Sequence, residues 1–464
     1  MVMLDNNIVN ISLPYIARYF SISTTHVVQI TLVYFLMLSS TMIISGKLAD
    51  KYGVKKIFML GFVIFTLSSL MCGISPSFPF LLASRAVQGI GGSMLFSTAI
   101  SLITRFIPAE KHGWAFGIFS PINSLGLMIG NPLGGLITGL LNWHWIFLVN
   151  VPIGIIAIFF ARKSIPSADE EEIAAGKRTP FDYPGGILSF LGLSLLVYCL
   201  NQGNKLGWAS PVILGGFAAS LVLIASFIFR EKHSKDPLLD LSIFKNRNFS
   251  LAILASLAGF GLLSGSGVLM PFYLTYILKI NLEHSGFILM TYPVIFSSLS
   301  VLTGPLSDHV SKPLLTSAGL AGGVLACLFF MFLLPGEHLG IVLLYLVFMG
   351  ISYSFFITPN NNLVMSLAPA DRQSVSSSVF KLATNMGQMF GILIMELMFT
   401  LALPAEAHSN PAIMKTLSQA TLLSGFQFAY LGGAILCVLA FLFSVLVKDT
   451  SPKGFLSREP HIAG

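Results

Sequence analysis

The sequence predicts an all-α polytopic membrane protein, and three observations carry that reading. Its 464 residues are 55% hydrophobic and only 10% charged, with a mean hydropathy of +0.83, where a soluble domain carries about 25% charged residues. Fourteen stretches are apolar enough to cross a bilayer, which takes about 20 residues each. The basic residues divide unevenly between alternate loops.

The expected spans are 3–20, 27–46, 57–75, 79–106, 113–141, 143–162, 184–202, 210–230, 249–278, 285–305, 314–335, 339–366, 374–402 and 425–447. Charges, Pro or Gly bound most of them. Of the 26 Lys and Arg, Arg18, Arg85 and Lys381 fall in spans and Lys205, Lys279 and Lys415 in the outer loops. The other twenty sit on the side of the N-terminus, which the positive-inside rule assigns to the cytoplasm. Both termini are then cytoplasmic. The formal charge of +7 is scattered over short loops, so it reads as an orientation signal rather than a nucleic-acid surface. The four cysteines (Cys72, Cys199, Cys327, Cys437) all lie in apolar stretches, with no disulfide framework or metal spacing.

The chain repeats weakly. Gly46-Lys-Leu-Ala-Asp50 returns as Gly304-Pro-Leu-Ser-Asp308, Pro108-Ala-Glu110-Lys111 as Pro369-Ala-Asp371-Arg372, and Gly126 and Gly130 as Gly387 and Gly391. Spans 1–6 thus match spans 9–14 in parallel topology, and spans 7 and 8 are inserted between them. The expected layout is a six-helix bundle at 1–163, a cytoplasmic linker at 164–183 and two inserted helices at 184–230. A cytoplasmic loop at 231–248, a second six-helix bundle at 249–447 and a cytoplasmic tail at 448–464 follow. Parallel repeats of this kind suggest a substrate path between halves that rock.

Five stretches carry a resemblance to a known family. They are Leu4-Asp-Asn-Asn-Ile-Val-Asn10-Ile-Ser-Leu-Pro14, Gly46-Lys-Leu-Ala-Asp50-Lys51-Tyr-Gly53-Val-Lys55-Lys56, Arg85-Ala-Val-Gln88-Gly-Ile-Gly-Gly92, Gly126 through Gly135, and Trp143-His-Trp-Ile-Phe-Leu-Val-Asn150-Val-Pro152. Over nearly its whole length the chain resembles the major facilitator superfamily, in its fourteen-helix drug:proton antiporter branch. The resemblance implies that Asp5 and Arg85 couple proton and substrate steps. It implies that Gly46, Asp50, Lys51, Gly53, Lys55 and Lys56, with Asp308 as a weaker second copy, gate the conformational change. It also makes Gly126, Gly130, Asn131, Pro132, Gly134 and Gly135 the antiporter motif, a hinge or seal between helices. Two departures stand out: Gly130 is followed by Asn131, with Pro132 one place later, and only Met1 to Leu4 precede Asp5 where the family has a longer apolar run. The second departure suggests an incomplete or misassigned start.

Buried ionisable groups are the sharpest chemical signal, because a charge at mid-membrane costs about 2.5–3.5 kcal/mol. Of the 19 acids only Asp5 and Glu396 fall within spans. Burial favours the neutral form of a carboxyl and a neighbouring cation the charged form, so both are candidate proton carriers. Arg85 stays charged and can only bias a carboxylate. The repeat sets Leu346 opposite Arg85, Leu262 near the counterpart of Asp5 and Gly135 opposite Glu396; the charges have no partner in the other half. Asn10, Tyr34, Gln88, Asn123, Asn361 and Asn362 are polar groups in or near spans that could face a substrate cavity.

The nine His are dispersed and no Walker loop or Ser/His/Asp arrangement is visible, which argues against a membrane enzyme or an ATP-driven pump. The expectation is a monomeric transporter of the plasma membrane, exporting small, lipophilic organic compounds against protons without a cofactor or metal. Its partners are the substrate, protons and the lipid bilayer, with no nucleic acid. Proton-coupled uptake or facilitated transport of a metabolite is the alternative, and an integral-membrane enzyme the remoter one.

Overall fold

A computed structural model describes residues 1–107, 112–165, 182–234, 237–238, 241–333, 338–368, 373–404 and 417–448. Within these, the side chains of residues 25, 50, 100, 104–105, 112–124, 204–205, 308 and 373–375 lie outside the description. The described chain is helical, with no strand among the described residues. A backbone in hydrocarbon has to satisfy its own polar groups, and the helix does so within one segment.

The helices are α1 (Val2–Tyr19), α2 (Thr24–Tyr52), α3 (Val54–Gly73), α4 (Phe78–Phe106), α5 (His112–Leu140), α6 (Trp145–Leu148), α7 (Asn150–Ser164) and α8 (Tyr183–Leu206). They continue with α9 (Pro211–His233), α10 (Arg247–Tyr276), α11 (Leu282–Leu289), α12 (Thr291–His309), α13 (Lys312–Leu333), α14 (Leu339–Leu367), α15 (Gln373–Leu401) and α16 (Gln419–Val445). Starts are set by capping side chains where the chain leaves the bilayer: Ser23 Oγ accepts from the His26 N–H, Ser210 from Ile213, Asn246 from Asn248 and Phe249, and Ser418 from Thr421.

Among the described residues, twelve spans are long and apolar enough to cross a membrane, two of them formed by the paired segments α6–α7 and α11–α12. That is two fewer than the fourteen expected. The stretches at 3–20 and 113–141 are helices, α1 and α5, but they fall short for different reasons. Helix α1 places Asp5, Asn6, Asn7, Asn10 and Arg18 among eighteen residues, and the apolar stretch described for α5 is only Leu125–Leu140.

Helix α1 packs on α5, α2 on α4, and α3 on α4 and α7. In the second half of the chain α10 packs on α15 and α16, α13 on α14 and α16, and α12 on α14. The two sets meet where α5 touches α11, α2 touches α15 and α1 touches α10. Helices α8 and α9 pair with each other, and α8 lies on α2. Asp182 fastens that pair by capping α8 through the Gly185 N–H while taking two bonds, at 2.8 and 2.9 Å, from the Arg230 Nε of α9.

The sequence repeat has a backbone counterpart. Among the described residues, Ser21 and Lys279 are the non-glycine residues at positive φ, both at 52°, and they stand at the repeat offset of Gly46 and Gly304. Ser23 and Asn281, at the same offset, hold the N-cap positions of α2 and α11. The same turn therefore closes α1 and α10.

Candidate functional site

Helix periodicity places Asp5 on the side of α1 turned toward α4, whose second turn supplies Arg85 and, one turn later, Gln88. Asp5, Arg85 and Gln88 are wholly buried. The Arg85 Nη1 donates to Asp5 Oδ2 at 2.6 Å and to Gln88 Oε1 at 2.6 Å. Asp5 Oδ1 accepts from Gln88 Nε2 at 3.1 Å and from Asn150 Nδ2, at the start of α7, at 2.8 Å. Gln88 Nε2 also reaches Ser69 Oγ of α3 at 2.8 Å. The guanidinium lies 4.3 Å from the centre of the Tyr34 ring and 5.6 Å from that of Phe147, in cation–π range. Helices α4 and α7 thus converge on the carboxylate of α1, while α2 and α3 touch Arg85 and Gln88.

The cluster is charge-balanced as drawn, and a balanced pair is what a membrane interior tolerates. It also holds spare hydrogen-bonding capacity: Arg85 Nη2, Tyr34 Oη and Asn150 Oδ1 are buried and have no partner among the described residues.

Beside the cluster lies a central cavity of about 280 Å³, between the two halves of the chain. Asn10 and Asn361 line it, as do Asn6, Asn7, Asn131, Asn385, Gln388 and Lys381. Tyr34 and Gln88 do not; the first stacks on Arg85 and the second belongs to the Asp5 cluster. Asn362 donates to Ser307 Oγ at 2.7 Å and pins α14 to α12. The side chain of Asn123 lies outside the described residues. Asp5 does not line the cavity, and neither does Glu396, which is buried near the end of α15. A second, wider space of about 1050 Å³ opens at the end of the bundle where α1 stops.

The glycines of the fifth helix have two distinct faces. One packs on α1: a Cβ at Gly130 would lie 2.6 Å from Asn7 Cβ, and one at Gly134 2.5 Å from Ile11 Cγ2, whereas at Gly126 the nearest atom, Met3 Cβ, is 3.5 Å away. The other face packs on α11, in the opposite half. There a Cβ at Gly135 would lie 2.5 Å from the Leu282 carbonyl oxygen, and one at Gly286 2.5 Å from the Asn131 carbonyl oxygen and 3.0 Å from Pro132 Cα. Helix α5 runs unbroken through Asn131 and Pro132.

The residues at the α2–α3 junction hold neighbouring segments. Gly53 alone separates the two helices, at φ 99° and ψ 134°, a conformation that L-residues with side chains rarely adopt. Lys51 Nζ donates to the Tyr183 hydroxyl of α8 at 3.1 Å, and Lys55 Nζ to the Ile165 carbonyl after α7 at 2.5 Å. Lys56 is exposed. Gly46 sits 4.0 Å, measured from a built Cβ, from Ser97 Cβ. The side chains of Asp50 and Asp308 lie outside the described residues.

A profile described as Major Facilitator Superfamily matches residues 1–392. The chain belongs to this superfamily. Membership indicates a multi-pass membrane transporter rather than an enzyme. The Riboflavin transporter RibZ of Clostridioides difficile (strain 630) is 30% identical over 392 residues, covering 84% of this chain and 84% of that protein. The Putative multidrug resistance protein MdtD of Escherichia coli O1:K1 / APEC is 28% identical over 470 residues, covering 100% of this chain and 96% of its own. Among solved structures, a bacterial homolog to the human lysosomal transporter Spinster, in an inward-facing and occupied conformation, superposes with a TM-score of 0.63. It is 16% identical over 96% of this chain and 93% of that one, a likeness of fold alone.

Sequence reasoning passed over Asn150, Ser69 and Lys381. Asn150 stood in plain view inside the Trp143–Pro152 stretch. Lys381 carried the same signal as Arg85, a cation within a span, and the argument used for the acids would have reached it. Ser69 had no sequence signal, since a serine in an apolar helix usually bonds back to its own turn.

Proposed function

We propose that this protein is a fourteen-span, proton-coupled exporter of small organic compounds, of the drug:proton antiporter branch, working by alternating access in the plasma membrane. The observation that carries this reading is the buried Asp5–Arg85–Gln88–Asn150 cluster. Replacing a sealed ion pair by apolar residues is often neutral or stabilising, so stability alone does not account for this one. A role in proton transfer accounts for keeping it. The relatives named for multidrug resistance and for riboflavin transport both fit a small organic substrate, and the second name favours a metabolite as a possible cargo.

In this reading α1 and α5 complete the fourteen spans, both termini face the cytoplasm, and the packing of α5 on α11 closes the outer side. The described conformation is then inward-facing, with the cavity reaching toward the end where α1 begins. Protonation of Asp5 loosens its hold on Arg85 and frees α1 to shift against α4. Glu396 serves as a second proton site, and the Gly46–Lys56 segment latches the inner ends. The monomer needs no cofactor: one charge moving across the membrane gains about 2.3 kcal/mol per 100 mV.

The test is transport in proteoliposomes under an imposed pH gradient, over a panel of organic dyes and metabolites. The native protein is expected to accumulate substrate against its gradient, on the side that a proton antiporter dictates. Asp5→Asn is expected to retain downhill exchange and lose accumulation, and Glu396→Gln to weaken it. Full coupling in both variants would overturn the site assignment, and accumulation in the same direction as the protons would favour uptake.

A further inference from the structure

We infer that the transported compound is an organic anion with an aromatic body, recognised by Lys381; this rests on the transport reading above and names its substrate class. Lys381 projects from α15 into the central cavity. Its Nζ lies 5.4 Å from the centre of the Phe96 ring, and it has no ion pair among the described residues. Its charge is thus left uncompensated by the protein, unlike that of Arg85, which is matched by Asp5 at 2.6 Å. An unpaired ammonium among apolar walls is poorly solvated, and an arriving anion supplies what the protein withholds.

The rest of the path has the same sign. The vestibule at the far end of the bundle is lined by Arg18 and Lys279. Among the described residues lining the cavity or the vestibule there is no Asp or Glu. Both acids of the spans stand outside the cavity lining. Along this route a lipophilic cation would meet three like charges and, among the described lining residues, no carboxylate; an anion would meet three opposite ones. Phe35, Phe96, Phe260, Phe296 and Phe380 give the cavity its apolar walls, suited to a flat ring, and the amides of Asn10 and Asn131 offer neutral hydrogen bonds at its edge. The first half of the repeat has serine at the place of Lys381, Ser120, so the cation is confined to one wall and orients the bound acid.

The experiment compares two dyes built on the same xanthene ring, fluorescein as the anion and rhodamine 123 as the cation. Each is titrated at pH 8 against the detergent-solubilised full chain by fluorescence polarisation. Equilibrium binding needs no proton gradient and no direction, so its outcome is independent of whether the protein exports or couples. Fluorescein is expected to bind at least about tenfold more tightly than rhodamine 123. Lys381→Gln is expected to remove that preference by weakening fluorescein alone, and Lys381→Arg to retain it. The proposal is overturned if rhodamine 123 binds as tightly as fluorescein to the native protein, if Lys381→Gln weakens both dyes equally, or if neither dye binds. The native comparison stands even if a Lys381 variant fails to fold.

Discussion

Gly135→Ala isolates the contact of α5 with α11 that, in the proposed mechanism, closes one end of the transporter. The added methyl carbon would lie 2.5 Å from the Leu282 carbonyl oxygen and 3.3 Å from its carbonyl carbon. Carbon contacts are comfortable from about 3.5 Å, so α5 and α11 have to part by roughly 1 Å at this point. The obstacle is backbone, which cannot swing aside as a side chain can. Overpacking of this kind costs about 1–3 kcal/mol. Because α5 and α11 belong to opposite halves, the strain falls on the conformation in which they touch and is relieved when they separate. The ratio of open to closed states at this end is then expected to rise by about 5- to 150-fold. Spin labels on Ser21→Cys and Gln419→Cys, both exposed at the vestibule on opposite halves, report that separation by electron–electron double resonance. The four native cysteines are buried and leave little background labelling. Gly135→Ala is expected to enlarge the long-distance population, and Gly126→Ala, whose nearest neighbour is 3.5 Å away, to leave it as it was. An unchanged distribution in Gly135→Ala, or an equal shift in both variants, would refute the idea that this contact is the seal.

Two further predictions concern stability. Arg85→Gln leaves the Asp5 carboxylate buried without its cation and is expected to destabilise the protein by about 3–5 kcal/mol; the double variant with Asp5→Asn should recover part of this in thermal unfolding, and a double variant no more stable than the single would contradict the pairing. Gly53→Ala puts a side chain at φ 99° and is expected to cost about 1–3 kcal/mol, whereas Gly46→Ala, with room for a methyl, should melt close to the native protein; equal melting points for the two would show that the α2–α3 junction relaxes.

The sequence made the helices legible because hydrocarbon imposes one simple rule, and made the repeat legible because Gly and acidic residues recur at fixed offsets. It counted α1 as a plain span, since a count of apolar stretches does not weigh the four polar residues at positions 5, 6, 7 and 10. Asp5 and Arg85 were each readable as functional charges because a charge in a span is costly, but not as a pair. Their partners were not: nothing local in Asn150 or Ser69 says that α7 and α3 point at a carboxylate on α1. The expected cavity group divided for a similar reason. Tyr34 and Gln88 are polar residues in spans, as Asn10 and Asn361 are, but sequence cannot tell a side chain turned toward a neighbouring helix from one turned toward open space.

That division bears on how proton and substrate communicate. A carboxylate exposed in the cavity would let a substrate compete with the proton for the same atoms. Asp5 is wholly buried and does not line the cavity, so direct displacement is closed to it. Helix α1 supplies the link instead. Met3, Asn6, Asn7 and Asn10 line the cavity, while Asp5, on the intervening face, holds α4 and α7. The same helix packs on the glycines of α5 and on α10 of the other half. In the proton-coupled mechanism proposed above, a proton at Asp5 would change what α1 is fastened to, a substrate would change what its opposite face touches, and both would act on one rigid element. Coupling of that proposed form is reciprocal, so substrate and proton would each change the other's binding without meeting.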